Sequence, residues 1–236
     1  LKKLLFKNGP LLATIAIFIL VYWIGGQLYP AMKKPQVFLN LFINNASLLI
    51  ISIGMTLVVF MGGIDLSVGA MIALTSVASA ALLQLNFNPI LVMVMMLFMG
   101  VLLGLIMGGI IHYLKVEAFV VTLMGQFFAR GMAYVINRSS ITISNDFYKF
   151  LALTKINLPF FEKAYVYIPS LVAIVLLIIT FILCMLTRFG RTVYAIGNNE
   201  QSALLMGLPV ARTKLVVYAF SGFCSALAGI VFSISL

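Results

Sequence analysis

Residues 90–111 read ILVMVMMLFMGVLLGLIMGGII, and this unbroken apolar stretch decides the class of fold. A helix needs about 20 consecutive apolar residues to cross a bilayer, and this stretch is long enough. Gly100, Gly104 and Gly108 recur every four residues within it and therefore share one helix face. Small-residue faces let helices approach closely in lipid, which predicts a compact bundle. The same spacing relates Gly69 with Ala73, Ser76 with Ala80, and Ser225 with Gly229.

The composition of the whole chain agrees with this stretch. Of the 236 residues, 64% are hydrophobic and 8% are charged, whereas soluble domains carry about 25% charged residues. Long solid apolar runs also argue against a membrane β-barrel, whose strands alternate in polarity. We therefore predict an all-α, polytopic transmembrane helical bundle. Its seven expected spans are residues 11–28, 39–60, 66–85, 90–111, 116–136, 166–186 and 215–236.

The net charge of +10 is carried mostly by the gaps between the apolar runs. This distribution is typical of loops at lipid headgroups and disfavours a nucleic-acid-binding function. If the N-terminus is cytoplasmic, residues 188–214 lie inside and residues 138–165 lie outside. The inside segments then carry Lys2, Lys3, Lys7, Lys115, Arg188, Arg191, Arg212 and Lys214, and the outside segments carry Lys33, Lys34, Arg138, Lys149, Lys155 and Lys163. Eight against six is a weak bias, so charge alone leaves the orientation open.

Three smaller features complete the description of the domain. Cys184 and Cys224 lie inside apolar runs, which predicts buried small side chains rather than a disulfide or a metal pair. The run at residues 11–28 is long and lacks a cleavage site, so we expect a retained first span rather than a signal peptide. Because the chain lacks an initial Met and stops inside an apolar run, we expect residues 1–236 to be a single, partial transmembrane domain.

The first candidate functional segment is Gly62-Gly63-Ile64-Asp65-Leu66-Ser67-Val68-Gly69, where two apolar runs meet with almost no loop. Paired glycines free the backbone from helical geometry, and Asp65 or Ser67 can cap the next helix. One interpretation is a tight hairpin with an ordinary cap. The other is a broken segment that lines or gates a transport pathway, because helix ends inside a membrane protein need protein or a wet cavity around them.

Two further sets of polar residues lie inside apolar runs. Thr122, Gln126 and Arg130 are spaced by four and form one helical stripe. An unpaired charge is costly in lipid, so Arg130 lines a pathway, pairs structurally or snorkels to the outer interface. The second span carries a polar patch that fits solute contact or interhelical hydrogen bonding equally well. The patch consists of Asn44, Asn45, Ser47, Ser52 and Thr56.

The loop of residues 188–214 is the last candidate. It is expected to begin with a polar turn and to continue as a short helix with exposed Leu and Met that ends at Gly207 and Pro209. On the cytoplasmic side such a helix suits docking into the groove of a partner protein. The alternative is a helix that lies on the lipid surface.

Motifs for chemistry are missing from the sequence. It has no G-x-x-x-x-G-K-[ST] nucleotide loop, zinc signature, nucleophile elbow or dinucleotide fingerprint. We therefore expect a chain that is not an enzyme and that holds no metal or cofactor. The small number of intramembrane charges also gives little support to a proton relay.

Several ordered segments resemble the ribose-type sugar permeases of bacterial ABC importers, the binding-protein-dependent inner membrane components. Besides residues 62–69, the matching segments are residues 119–123, 130–131, 188–199, 202–203, 206–207, 221–222 and 228–230. Residues 202–208 and 229–233 look most similar to the galactofuranose permease. The ribose, xylose and autoinducer-2 branches share most of the same motifs.

The resemblance implies an importer with several components. A soluble sugar-binding protein would deliver substrate, two identical or different permease subunits would form the pathway, and separate ATPase subunits would consume the ATP. The loop of residues 188–214 would contact the ATPase, through Gly190, Arg191, Tyr194, Gly197, Asn198, Asn199, Ser202, Ala203, Met206 and Gly207. Family members continue with further spans, so this chain alone is expected to form an incomplete pathway.

The predicted function is import of a monosaccharide such as galactofuranose or ribose across the bacterial inner membrane. The candidate residues of the substrate pathway are Asn44, Asn45, Asp65, Ser67, Thr122, Gln126 and Arg130. The alternative is an ion-coupled secondary transporter or a channel for a small polar solute.

Overall fold

A computed structural model describes residues 9–139, 141–143, 145–157 and 164–235. Lys2, Lys3, Lys7 and Lys163 of the charge analysis lie outside these residues. The α-helices of the described residues are α1 (Gly9–Leu28), α2 (Pro35–Asn44), α3 (Ala46–Phe60), α4 (Val68–Gln84), α5 (Pro89–Tyr113), α6 (Ala118–Ile136), α7 (Asp146–Leu153), α8 (Ile168–Leu186), α9 (Arg188–Asn198), α10 (Glu200–Leu205) and α11 (Val210–Ser235). A 3₁₀ helix, Pro30–Lys33, follows α1. Strands β1 (Lys155–Asn157) and β2 (Tyr165–Tyr167) pair antiparallel.

The apolar runs all form helices. Among the described residues, α1, α5, α6, α8 and α11 are each long and apolar enough to cross a membrane. Helices α2 and α3 meet at an angle of 59° and together are long and apolar enough for a sixth crossing, as a broken span or a re-entrant loop, and α4 is a shorter apolar helix of 17 residues. These segments correspond to the seven predicted runs, so the all-α polytopic fold is confirmed.

The bend between α2 and α3 divides a run that the sequence predicted as one span. Asn45 lies at the junction with φ −110° and ψ 17°, and its side-chain amide donates to the Leu41 carbonyl at 2.8 Å. A short polar side chain that bonds the preceding turn competes with the helical hydrogen bonds and bends the chain. Gln36 holds α2 in place because its amide exchanges two hydrogen bonds with the backbone of Tyr165.

Helix α11 is the centre of the bundle and packs on α3, α4 and α5. Its contact with α5 is backbone to backbone. A Cβ added at Gly104 would overlap the Tyr218 carbonyl oxygen, and one added at Gly222 would overlap the Gly100 carbonyl oxygen. The predicted close-packing face of the fourth span is therefore confirmed.

The small-residue spacing on α4 predicted close helix packing, which the structure shows at Ser76 and does not show at Gly69. Ser76 faces the bundle, where its hydroxyl accepts a hydrogen bond from Ser233 at 3.0 Å. At Gly69 the prediction of close packing is wrong, since a Cβ there would meet open space. The reason is that α4 packs through the neighbouring face of Ala70 and Leu74, both 3% exposed, which turns Gly69 outward.

Alternate connections of the chain meet at opposite ends of the bundle. Gly62, Lys115 and Glu200 come from three separate connections and border one cavity of about 610 Å³. Asn44 and Tyr167 border a cavity of about 330 Å³ at the other end. This arrangement agrees with the expectation that residues 188–214 and residues 138–165 lie on opposite sides of the membrane. We name the end formed by residues 61–67, 112–118 and 187–209 the inner face.

A short helix and the two cysteines complete the local structure. Between the long apolar helices, Asp146–Leu153 forms the short helix α7, and the Asn145 side chain caps it by accepting from Phe147 N–H at 3.0 Å. Cys184 and Cys224 are both unpaired and buried among apolar side chains. Both side chains are therefore buried, as the sequence predicted: Cys184 is 6% exposed and Cys224 is fully buried.

Candidate functional site

The connection between α3 and α4 is a broken segment held inside the protein. Helix α3 ends in two hydrogen bonds, from Gly62 N–H to Val59 C=O and from Gly63 N–H to Val58 C=O, both at 2.9 Å. Gly62 has a φ of +81°, a backbone conformation that is strained for residues with a side chain. These two hydrogen bonds and the positive φ together form a Schellman motif. The segment then runs for five residues without helix before α4 begins at Val68.

Asp65 is the polar centre of this break and is 1% exposed. Its Oδ1 accepts hydrogen bonds from Ser67 N–H at 3.0 Å and from Ser67 Oγ–H at 2.6 Å, and its Oδ2 accepts one from Ser221 Oγ–H at 2.6 Å. Ser67 itself makes no side-chain cap bond to α4. Three donors therefore compensate the desolvated carboxylate, and they tie the break to α11.

Helix α6 closes the break from the other side. Thr122 is buried, and its Oγ lies 2.9 Å from the Ala118 carbonyl oxygen of its own helix and 3.1 Å from the Ile64 carbonyl oxygen of the break. The structure thus brings together Asp65, Ser67 and Thr122, which the sequence analysis named separately. It adds Ser221, which appeared there only within a family motif.

Gln126 and Arg130 continue the α6 stripe away from the inner face. Gln126 is half-buried and Arg130 is exposed at the side of the helix. Within the described part of the chain, neither side chain has a hydrogen bond or an ion pair. A charged group left this way on a membrane-spanning helix requires contact with water, a lipid headgroup or another chain.

Asn44 and Asn45 lie at the opposite end of the bundle from the break. Asn44 borders the 330 Å³ cavity with Tyr167 and Pro169, and Asn45 is occupied by its bond to Leu41. The polar patch of the second span does not converge with Asp65. Ser47 donates to the Ala228 carbonyl of α11 at 3.1 Å, which is the interhelical hydrogen bonding that the sequence allowed, whereas Ser52 and Thr56 donate to carbonyls of their own helix.

The loop of residues 188–214 is more helical than expected. A polar turn was predicted at its start, but α9 forms there, capped by the Thr187 hydroxyl. Phe189, Val193 and Ile196 are spaced as one helix face and pack on the bundle, a signal that was present in the sequence. Helix α10 follows directly, capped by Asn199, whose side chain accepts from Ser202 N–H at 2.8 Å.

The end of α10 presents an apolar surface to solvent. Leu204 is 61% exposed, Leu205 is 88% exposed and Met206 is 66% exposed, as the sequence predicted. The chain leaves this surface through Gly207, whose φ is +74°. An exposed apolar tip on the inner face fits a docking contact with another protein.

Other predicted contact residues of this loop face the bundle instead. Ala203 is fully buried, and a Cβ at Gly190 or Gly197 would overlap a carbonyl oxygen of Cys184 or Phe60. Tyr194 packs its ring 5.0 Å from that of Phe60, and desolvation raises the pKa of its hydroxyl. The predicted contact residues that keep exposed surface are Arg191, Tyr194, Gly197, Asn198, Asn199, Ser202, Met206 and Gly207, and Tyr194 is 37% exposed.

The cavity at the inner face lies between α10 and the break. Lys214 of α11 borders it, and its Nζ is 2.7 Å from both carboxylate oxygens of Glu200 on α10. His112, Lys115 and Glu117 line the opposite wall. The cavity is therefore polar and is open to the inner face.

Comparison with known proteins identifies the family. The family described as branched-chain amino acid transport system / permease component matches residues 37–236. Inner membrane ABC transporter permease protein YjfF of Escherichia coli is 39% identical, over 97% of this chain and 69% of that protein. Fructose import permease protein FruG of Bifidobacterium longum is 37% identical, over 96% of this chain and 68% of that protein. Ribose import permease protein RbsC of Bacillus subtilis is 34% identical, over 95% of this chain and 67% of that protein.

No solved structure matches the chain at a significant level. The resemblance to permeases of ABC importers is confirmed by these relatives, and the apolar helices agree with it. The chain therefore belongs to the permease-component family of the branched-chain amino acid transport system type, as a multi-pass membrane transport protein and not an enzyme.

Proposed function

We propose that this chain is the membrane-spanning subunit of a bacterial ABC importer that carries a monosaccharide across the inner membrane. The observation that carries the proposal is the identity of 34–39% to three permeases, two of them named for fructose and ribose import. Ribose and galactofuranose are the first substrates to test, because the family motifs in this sequence resemble those of their permeases.

The energy comes from a partner protein. The chain has no nucleotide-binding loop, so an ATPase subunit hydrolyses the ATP and this chain holds no cofactor of its own. The exposed tip formed by Leu204, Leu205 and Met206 is the docking contact for that ATPase. A second permease subunit completes the pathway, and a soluble sugar-binding protein delivers substrate at the outer face.

Transport follows alternating access. Closure of the ATPase subunits displaces α10, and the bundle responds by opening one face and closing the other. The break at residues 61–67 acts as the inner gate, since it is the non-helical element that contacts both α6 and α11. Gln126 and Arg130 offer hydrogen-bond donors to sugar hydroxyls along α6. Asn44 does so at the outer end, together with the second amide N–H of Asn45, which the bond to Leu41 does not use.

The proposal is tested by reconstitution. The permease is assembled in liposomes with its ATPase and its binding protein, and uptake of radiolabelled ribose, fructose and galactofuranose is measured with and without ATP. We expect uptake of one sugar that requires ATP and the binding protein. Uptake that persists without nucleotide or ATPase would instead establish an ion-coupled transporter or a channel.

The docking contact is tested by a charge at its most exposed position. Leu205→Glu should abolish co-purification of the ATPase, because a carboxylate cannot enter an apolar groove without a partner. Leu153→Glu is the matched control, since Leu153 is 71% exposed on α7 at the outer face. Normal ATPase recovery with Leu205→Glu would remove this tip from the docking surface.

A further inference from the structure

The two ion pairs of the described residues differ in kind. Lys149 and Asp146 lie 3.9 Å apart on one helix, and both side chains are more than half exposed. Lys214 and Glu200 lie on different helices, with contacts of 2.7 Å to both carboxylate oxygens, and the Lys214 side chain is only 13% exposed. The Lys214 side chain is therefore largely shielded from water although the Glu200 side chain is 49% exposed, so water screens this pair less than it screens the pair on one helix.

Helix α10 is attached to the bundle at few points. Ala203 inserts into the apolar cluster that includes Val193 and Val217, and Glu200 binds Lys214. Its remaining residues, Leu204 and Leu205 among them, face solvent. The ion pair is thus the polar link between the exposed docking tip and α11.

The stripe of α11 that begins at Lys214 continues to the break. Tyr218 follows after four residues and Ser221 after seven, a spacing that places all three on one helix face. Tyr218 packs against Gly63 so closely that a Cβ added to this glycine would lie 2.6 Å from the Tyr218 hydroxyl. Ser221 donates a hydrogen bond to Asp65 at 2.6 Å. One face of one helix therefore carries the link to α10 and the link to the gate.

Helix α11 is suited to transmit a displacement without deforming. Its backbone is in contact with that of α5, where Gly222 leaves no room for a Cβ against Gly100. Close-packed helices of this kind move as rigid bodies. The 610 Å³ cavity beside Glu200 provides space into which α10 can shift.

Resting on the proposed function, we infer that Glu200 and Lys214 are positioning residues that transmit displacement of the docking helix α10 along α11 to the gate at residues 61–67. The pair acts by making α11 move when α10 moves. It contacts neither sugar nor nucleotide. Loss of the pair should leave the ATPase docked and active while separating ATP hydrolysis from sugar movement.

The test uses the reconstituted importer and measures three quantities: ATPase co-purification, ATP hydrolysis and sugar uptake. Glu200→Gln and Lys214→Gln should retain the first two and lower the ratio of sugar transported to ATP hydrolysed by at least about fivefold, the low end of typical coupling effects. The exchange variant Glu200→Lys with Lys214→Glu should recover most of that ratio. Glu117→Gln is the control, since Glu117 lines the same cavity and has no ion pair among the described residues.

The possible outcomes separate the inference from the proposed function. If the wild-type complex shows no ATP-dependent uptake, the proposed function is wrong. If the wild type transports and the single variants keep its ratio, or if the exchange variant is no better than they are, the pair has no role in transmission. If Lys214→Gln fails to assemble, two other variants still decide whether the pair transmits movement. Glu200→Gln changes the more exposed partner, and Lys214→Arg keeps the charge.

Discussion

Two surfaces of the molecule differ in how they accommodate polar groups. The inward surface is the side of α11 that packs on the bundle, and the outward face is the side of α6 that points away from the bundle. On α11, Ser221 binds a fully buried carboxylate, and Gly222 brings two backbones into contact. On α6, Arg130 is exposed without a partner among the described residues, and Gly131 has open space beside it. The first surface is complete within this chain, whereas the second requires water, lipid or another subunit.

The largest effect is expected at Asp65, whose removal would break the inward surface. Asp65→Ala leaves Ser67 N–H and two hydroxyls buried without an acceptor, which should destabilise the protein by about 3–5 kcal/mol. Sugar uptake should fall while the protein still reaches the membrane. Thermal unfolding in detergent and uptake in liposomes measure the two effects. Asp146→Ala at a fully exposed carboxylate is the control, and normal uptake with Asp65→Ala would make the break an ordinary hairpin.

The next effect compares one chemical change on both surfaces. Gly222→Ala adds a Cβ that overlaps the Gly100 carbonyl, so it should destabilise the bundle by about 1–3 kcal/mol. Gly131→Ala adds the same atom in open space within a helix and should stabilise the protein by up to about 1 kcal/mol. The unfolding midpoints of the two variants should move in opposite directions. Equal midpoints would mean that α11 and α5 separate more easily than their contact indicates.

A smaller loss is expected at Ser221. Ser221→Ala removes one of the three hydrogen bonds to Asp65 and should cost about 1–2 kcal/mol of unfolding free energy. Ser52→Ala is a suitable control, because that hydroxyl bonds its own helix at an exposed position. If both variants unfold alike, Ser221 contributes nothing to holding the break.

The smallest effect on stability is expected at Arg130, on the outward face. Arg130→Leu should leave the unfolding midpoint in detergent nearly unchanged, because the side chain has no partner within the described residues. It should nevertheless reduce uptake or assembly of the complex, and Arg130→Lys should retain part of the activity. Unchanged uptake and assembly for Arg130→Leu would mean that the side chain only reaches the headgroup region.

The sequence predicted the membrane-spanning helices and the location of the break because both depend on local patterns. Long apolar runs fix the spans, and Gly62-Gly63 with Asp65 marks the point where the helix cannot continue. The bend at Asn45 was missed because the span was predicted from the average hydropathy of the whole run, in which one amide side chain has little weight. That amide was visible in the sequence, and its effect depends on the bond to Leu41.

The contacts that make these features into a site could not be predicted locally. Ser221 and Asp65 are separated by 156 positions in the chain, and nothing in the sequence near either residue indicates that they bind each other. The same limit applies to Ala203, which is fully buried although its neighbours on α10 are exposed. Small-residue spacing identified the tight α5 face correctly but could not distinguish it from the open face at Gly69.

The burial of both native cysteines has a practical consequence for watching this protein move. Cys184 is 6% exposed and Cys224 is fully buried, so neither should react readily with a water-soluble maleimide. A single cysteine introduced at Leu205 would then carry the only accessible label among the described residues. The fluorescence or the spin-label mobility at that position could then follow the docking helix through the nucleotide cycle without first rebuilding the chain as a cysteine-free variant.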